Sequence, residues 1–93
     1  MNTEHHESVR RAISTVLWED WDPIGINENP EARDEYDGYV DGVLWILEDG
    51  ADATRVAQHL GRVSKNDLGV ESPEAKNEAV AAKLVRLYKE GEL

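Results

Sequence analysis

Three prolines, and the helical spacing of apolar residues between them, constrain this chain more than anything else in it. Val9, Ala12, Ile13, Val16 and Leu17 fall at i, i+3, i+4, i+7 and i+8, which is one face of an α-helix. Asp22-Pro23 stops that helix, because the residue before a proline is pushed out of the α region. Pro23 to Asn29 then reads as a loop, with Gly25 as a positive-φ turn residue. Pro30 opens a second helix: Asn29 is a good N-cap, proline suits the first helical position, and Glu31 complements the dipole. Its stripe is Tyr36, Val40, Val43, Leu44 and Leu47, with Gly50 as the C-terminal cap. A third helix starts at Asp52 and carries Ala53, Val56, Ala57, Leu60 and Val63. Pro73, behind a capping Ser72, opens a fourth, striped with Val80, Ala81, Leu84, Leu87 and Tyr88. No stretch alternates with period two. The pattern predicts an all-α single domain over 1–93, a compact four-helix bundle or array with helices near 4–20, 30–49, 52–66 and 73–90. Asn2 or Thr3 is the expected cap of the first.

Size and composition narrow the function classes. A chain of 93 residues buries only about 60–65% of its unfolded surface, so a deep two-walled cleft is hard to build. It has no cysteine, which excludes disulfides, thiolate metal sites and thiol nucleophiles. That, with no basic and apolar leader in Met1–Glu7, leads us to expect a cytoplasmic protein. The longest apolar run, Val43 to Leu47, is too short to span a bilayer. The net charge is −10, and all of it lies in residues 1–50, which hold 13 acids and 3 bases. Between Glu19 and Asp49 there are 11 acids and one base, Arg33. Such a field repels nucleic acid and anionic lipid and attracts basic proteins or cations.

Two tryptophans three apart, Trp18 and Trp21, sit at the end of the first helix. They read either as a plug that closes the core or as a binding hot spot. The run Trp18-x-x-Trp21-Asp-Pro-Ile-Gly25, followed by Asp34-Glu-Tyr36-Asp37-x-Tyr39, resembles a family of small bacterial proteins of unknown function. Its members pair a W-D-P-I-G helix end with a D-E-Y-D helix, a Gly-Ala turn (here Gly50-Ala51) and two further helices. The resemblance covers nearly the whole chain. It implies an all-α fold and no established activity, and some relatives resemble toxin-immunity proteins. The chain departs from the pattern at Lys65-Asn66-Asp67-Leu68-Gly69, where a methionine commonly precedes the glycine.

On the second predicted helix Asp34, Asp37 and Asp41 share a face with Gly38, Gly42 and Trp45. Like charges at this spacing cost a helix a few tenths of a kcal/mol per pair. Each glycine costs roughly 1 kcal/mol against alanine. Either the strip seats a basic partner closely, or the glycines admit helix 1 or helix 4. The first alternative makes Asp34, Asp37, Asp41 and Glu48 steering charges and Trp45 and Tyr39 anchors for a basic protein partner. A toxin-masking immunity or inhibitor protein fits that physics. Monomer or weak homo-oligomer is expected, since self-association brings like charges together.

A second reading is a calcium site. Asp20, Asp22, Gly25, Glu28 and Glu31 match EF-hand loop positions 1, 3, 6, 9 and 12. Ile24 at position 5, Asn27 at position 8 and Pro23 at position 4 do not fit. His5 and His6 point in different directions and are expected to be exposed. His59, on the edge of the third stripe, reads as a partly buried, hydrogen-bonded residue. No serine sits in a nucleophile motif, there is no glycine-rich phosphate loop, and no carboxylate pair is tuned apart by burial. The sequence therefore predicts no enzyme and no cofactor.

Overall fold

Helical hydrogen bonding accounts for most of the backbone that the computed structural model describes, residues 3–91, with side chains from residue 7 onward. The cap at Asn2 or Thr3 and the exposure of His5 and His6 concern side chains outside the described residues. Four α-helices are present and no strand occurs among the described residues: α1 (Thr3–Val16), α2 (Val40–Glu48), α3 (Ala53–Arg62) and α4 (Glu74–Lys89). Their bounds follow local chemistry. Asp52 caps α3 by accepting from the backbone N–H groups of Thr54 and Arg55. Gly50, at φ +110°, follows the C-cap of α2, and Ala51 N–H reaches back to the Ile46 carbonyl at 3.2 Å, a Schellman closure.

α1 and α3 each widen into a single π turn, Leu17–Trp21 and Val63–Asp67. Asp22 ends the first in a left-handed conformation (φ 30°), its N–H bonded to the Leu17 carbonyl at 2.9 Å. Gly25 takes the expected positive φ of 68°.

The second helix departs from expectation. Asn29 caps it as predicted, accepting from Glu31 N–H, but only a 3-10 turn follows, Pro30–Ala32. Turns bonded three residues apart continue to a second 3-10 turn, Asp37–Tyr39, and regular α-helix begins only at Val40. Two causes act together. Glycine at 38 and clustered carboxylates weaken helix in 34–38. Tyr36 is also pulled from a regular ladder by contacts far away in sequence. It is 1% exposed, with ring centroids 6.2 Å from Trp18 and 5.5 Å from Trp21. Asp34, Asp37 and Asp41 therefore do not form one helical strip. Ser72 also differs from expectation: its hydroxyl meets that of Ser64 at 2.8 Å, and α4 starts without a side-chain cap.

The core lies where the helix stripes meet. Ile13 and Leu17, Val43 and Leu47, Val56 and Leu60, and Ala81 and Leu84 are among its fully enclosed members. α3 packs along α4, α2 lies between α1 and α3, and the π end of α1 rests on α4. A radius of gyration of 12.5 Å fits one folded unit of this length, for which about 12 Å is expected. Trp18 and Trp21 are both buried, at 8% and 0% exposure, so the plug reading holds and the hot-spot reading of this pair does not. Trp21 Nε1 donates to Asn77 Oδ1 at 3.0 Å inside the core. No helix among the described residues is long and apolar enough to cross a membrane.

Candidate functional site

Because Val40, Val43, Leu44 and Leu47 of α2 point inward, the outward ridge carries Asp41, Trp45 and Glu48. Their spacing, i, i+4 and i+7, places one carboxylate a turn before the indole and one a turn after it. Trp45 is 61% exposed, the one large hydrophobic side chain left in solvent among the described residues. The Arg55 guanidinium of α3 stacks on it 5.6 Å from the ring centroid. Arg55 is aimed there by Asp49, whose carboxylate lies at 3.0 Å and whose carbonyl accepts at 3.1 Å. Between α2 and α3 runs a shallow groove of about 400 Å³ bordered by Gly42, Trp45, Ile46, His59 and Arg62.

His59 forms the groove's floor. Its ring presses on Gly42, where an added Cβ would lie 2.7 Å from Nε2. Gly42 thus admits helix α3, not helix 1 or helix 4, while Gly38 faces open space. Nε2 is buried and makes no hydrogen bond, which corrects the expectation of a bonded histidine. Burial holds the imidazole below its ordinary pKa; Arg62 pushes the same way and Asp67 opposes.

The other predicted partner-binding residues lie elsewhere. Asp37 accepts from Ser14 Oγ and lies 3.9 Å from Arg33, closing its segment onto α1. Arg33 in turn donates to Ser14 at 2.9 Å and Thr15 at 3.2 Å, with its guanidinium 5.6 Å from the Trp18 ring. Asp41 pairs with Arg10 at 3.0 Å, both side chains well exposed. Asp34 is exposed in the turn before α2, off the Trp45 ridge. Tyr39 is half-buried against the core, and desolvation, with Asp67 and Glu35, raises its phenol pKa.

The loop read as a calcium frame uses its first carboxylates internally. Asp20 pairs with Lys83 at 2.6 Å. Asp22 Oδ1 accepts from Tyr36 Oη at 2.6 Å and Ile26 N–H at 2.8 Å, and its Oδ2 from Asn27 N–H at 3.1 Å. Burial alone would raise the Asp22 pKa, but these three donors, with the charge of Lys76, outweigh it and hold the carboxyl below its usual range. Burial, then the bond to Asp22, pushes the Tyr36 phenol up. Glu28 and Glu31 are exposed, and no three acidic or histidine side chains among the described residues are gathered as a metal set.

Sequence reasoning missed Arg55, His59 and Arg62 as neighbours of Trp45, because that contact joins two helices whose relative rotation no stripe specifies. It also missed Asn77. There the signal was present: an asparagine three before Val80 and four before Ala81 lies on the core face and needs a buried partner. The chain matches no protein-family model, no curated protein and no solved structure.

Proposed function

We propose that this chain is a protein-binding module, without catalysis of its own, that docks a basic protein partner on the Trp45 ridge of α2. The observation that carries this reading is the exposed indole. Leaving a tryptophan in water forgoes burial worth about 2–3 kcal/mol, and exposed aromatics of this kind are what binding hot spots are made of. Charge supplies the direction. The net −10 field draws in cationic proteins, and Asp41 and Glu48 flank the indole. Arg55 and Arg62 border the same groove, so the local rim is mixed. Steering therefore comes from the whole-molecule field, and affinity from Trp45. Arg55 on the indole is an internal example of the cation–π contact that a partner's arginine or lysine would make. An immunity protein or inhibitor that masks a cationic enzyme is the role this physics suits.

The test compares proteins captured by the wild-type chain and by Trp45→Ala. A basic partner should bind the variant at least about thirtyfold more weakly, the effect of losing a hot spot of ~2 kcal/mol. Asp41→Asn with Glu48→Gln should slow association and flatten its salt dependence. Asp37 is unsuited to that experiment, because its carboxylate ties the chain to Ser14 and Arg33. If Trp45→Ala captures the same partners at the same affinity, the ridge is not the site.

A further inference from the structure

A second groove, of about 480 Å³, lies between α3 and the start of α4. Its α3 wall is the small-residue stripe Ala53, Ala57 and Gly61, and its α4 wall carries Glu74, Asn77 and Glu78. Asn77 gives it a chemical character. The side chain is 5% exposed, and its amide orientation is fixed. An indole N–H can only donate, so the oxygen must face Trp21 and the nitrogen must face away. That nitrogen makes no hydrogen bond among the described residues and sits beside Gly61, where an added Cβ would lie 3.5 Å from it.

Gly61 keeps the approach to that nitrogen clear. A Cβ there would make ordinary contact with Asn77 alone, so packing does not require glycine. Mid-helix glycine nonetheless lowers the folding equilibrium about fivefold against alanine. What the missing side chain does is leave the Asn77 amide open to the groove. The N–H₂ can donate to an acceptor that enters the groove. The exposed carboxylates of Glu74 and Glu78 exclude an anionic one and favour a cation beside it.

We infer that the α3–α4 groove binds an extended peptide segment carrying a lysine or arginine. Asn77 Nδ2 donates to a backbone carbonyl, the small-residue stripe admits the chain, and Glu74 and Glu78 take the positive charge. This site does not depend on the Trp45 reading, since the two grooves share only Gln58 and neither Trp45 nor Arg55 lines this one.

The experiment is a titration of the ¹⁵N-labelled full chain with acetyl-Ala-Lys-Ala-amide, and separately with acetyl-Ala-Glu-Ala-amide. The Asn77 side-chain N–H₂ pair and the Gly61 amide should shift saturably with the lysine peptide, with a Kd on the order of 1 mM, as expected of so small a ligand. The glutamate peptide should bind at least about tenfold more weakly. Gly61→Ala, which favours the helix, should abolish the saturable shift. Glu78→Gln should weaken it about threefold, the value of one exposed charge pair. Trp45→Ala should leave it unchanged, which separates this site from the α2 ridge. Shifts spread over the acidic residues without Asn77, equal binding of both peptides, or full binding by Gly61→Ala would each overturn the inference.

Discussion

Tyr36→Phe isolates the tie that draws the irregular segment before α2 onto the end of α1. The substitution keeps the ring between Trp18 and Trp21 and removes only the hydroxyl. That hydroxyl donates to Asp22 Oδ1 at 2.6 Å and receives Ile24 N–H at a long 3.3 Å. A hydrogen bond to a charged acceptor contributes about 1.5–3 kcal/mol. The lower half of that range applies, because Asp22 is only half-buried and keeps its bonds to Ile26 and Asn27. We expect a loss of about 2 kcal/mol in urea unfolding at pH 7, or roughly 8–15 °C in Tm for a domain this small. Acid gives the second reading. Asp22 has its folded pKa below the unfolded value, so its contribution is present above the unfolded value and fades as pH falls through the folded one. Once the carboxyl is protonated the bond is neutral and about half as strong, so the penalty should shrink to about 1 kcal/mol. A loss under about 0.5 kcal/mol at pH 7, or one that does not shrink as the pH is lowered until Asp22 is protonated, refutes the charged tie.

Two further outcomes follow from the α2–α3 contact. Gly42→Ala should destabilise the fold by about 1–3 kcal/mol despite alanine's helix preference, since its Cβ meets His59 Nε2 at 2.7 Å; His59→Ala should relieve that cost in a double-mutant cycle. Because the folded pKa of His59 lies below its unfolded value near 6.5, the unfolded chain binds more protons, so stability should decline as pH falls from about 7 toward 5. His59→Gln should flatten that decline in urea unfolding across this window, and an unchanged slope would assign it to other groups.

Local chemistry made much of the fold legible. The stripes of α1, α3 and α4, the caps at Asn29 and Asp52, and the positive-φ turns at Gly25 and Gly50 all stand where residue type and spacing place them. Helical angle groups Trp45 with Asp41 and Glu48, because 40–48 is helical, but it leaves open whether another helix covers that ridge, and only the packing leaves the indole exposed. The same arithmetic fails for Asp34 and Asp37. A good start signal at Asn29-Pro30 says that a helix can begin, not that it continues, and Tyr36's distant partners decide otherwise. Ser72 fails for a similar reason: a cap-forming hydroxyl was taken by Ser64. The Trp21–Asn77 and Arg55–Trp45 contacts depend on how helices rotate against one another, which one-dimensional periodicity leaves free.

The bond between Tyr36 and Asp22 has a topological meaning as well. It joins residues 14 apart and so closes a ring of chain around the least regular part of the molecule. Small domains commonly close such rings covalently, with a pair of cysteines, and this chain has none. Its clasp is a phenol on a carboxylate, walled by two indoles. The thiol reductants that open a disulfide therefore leave it alone, and the agent to which it answers is the proton.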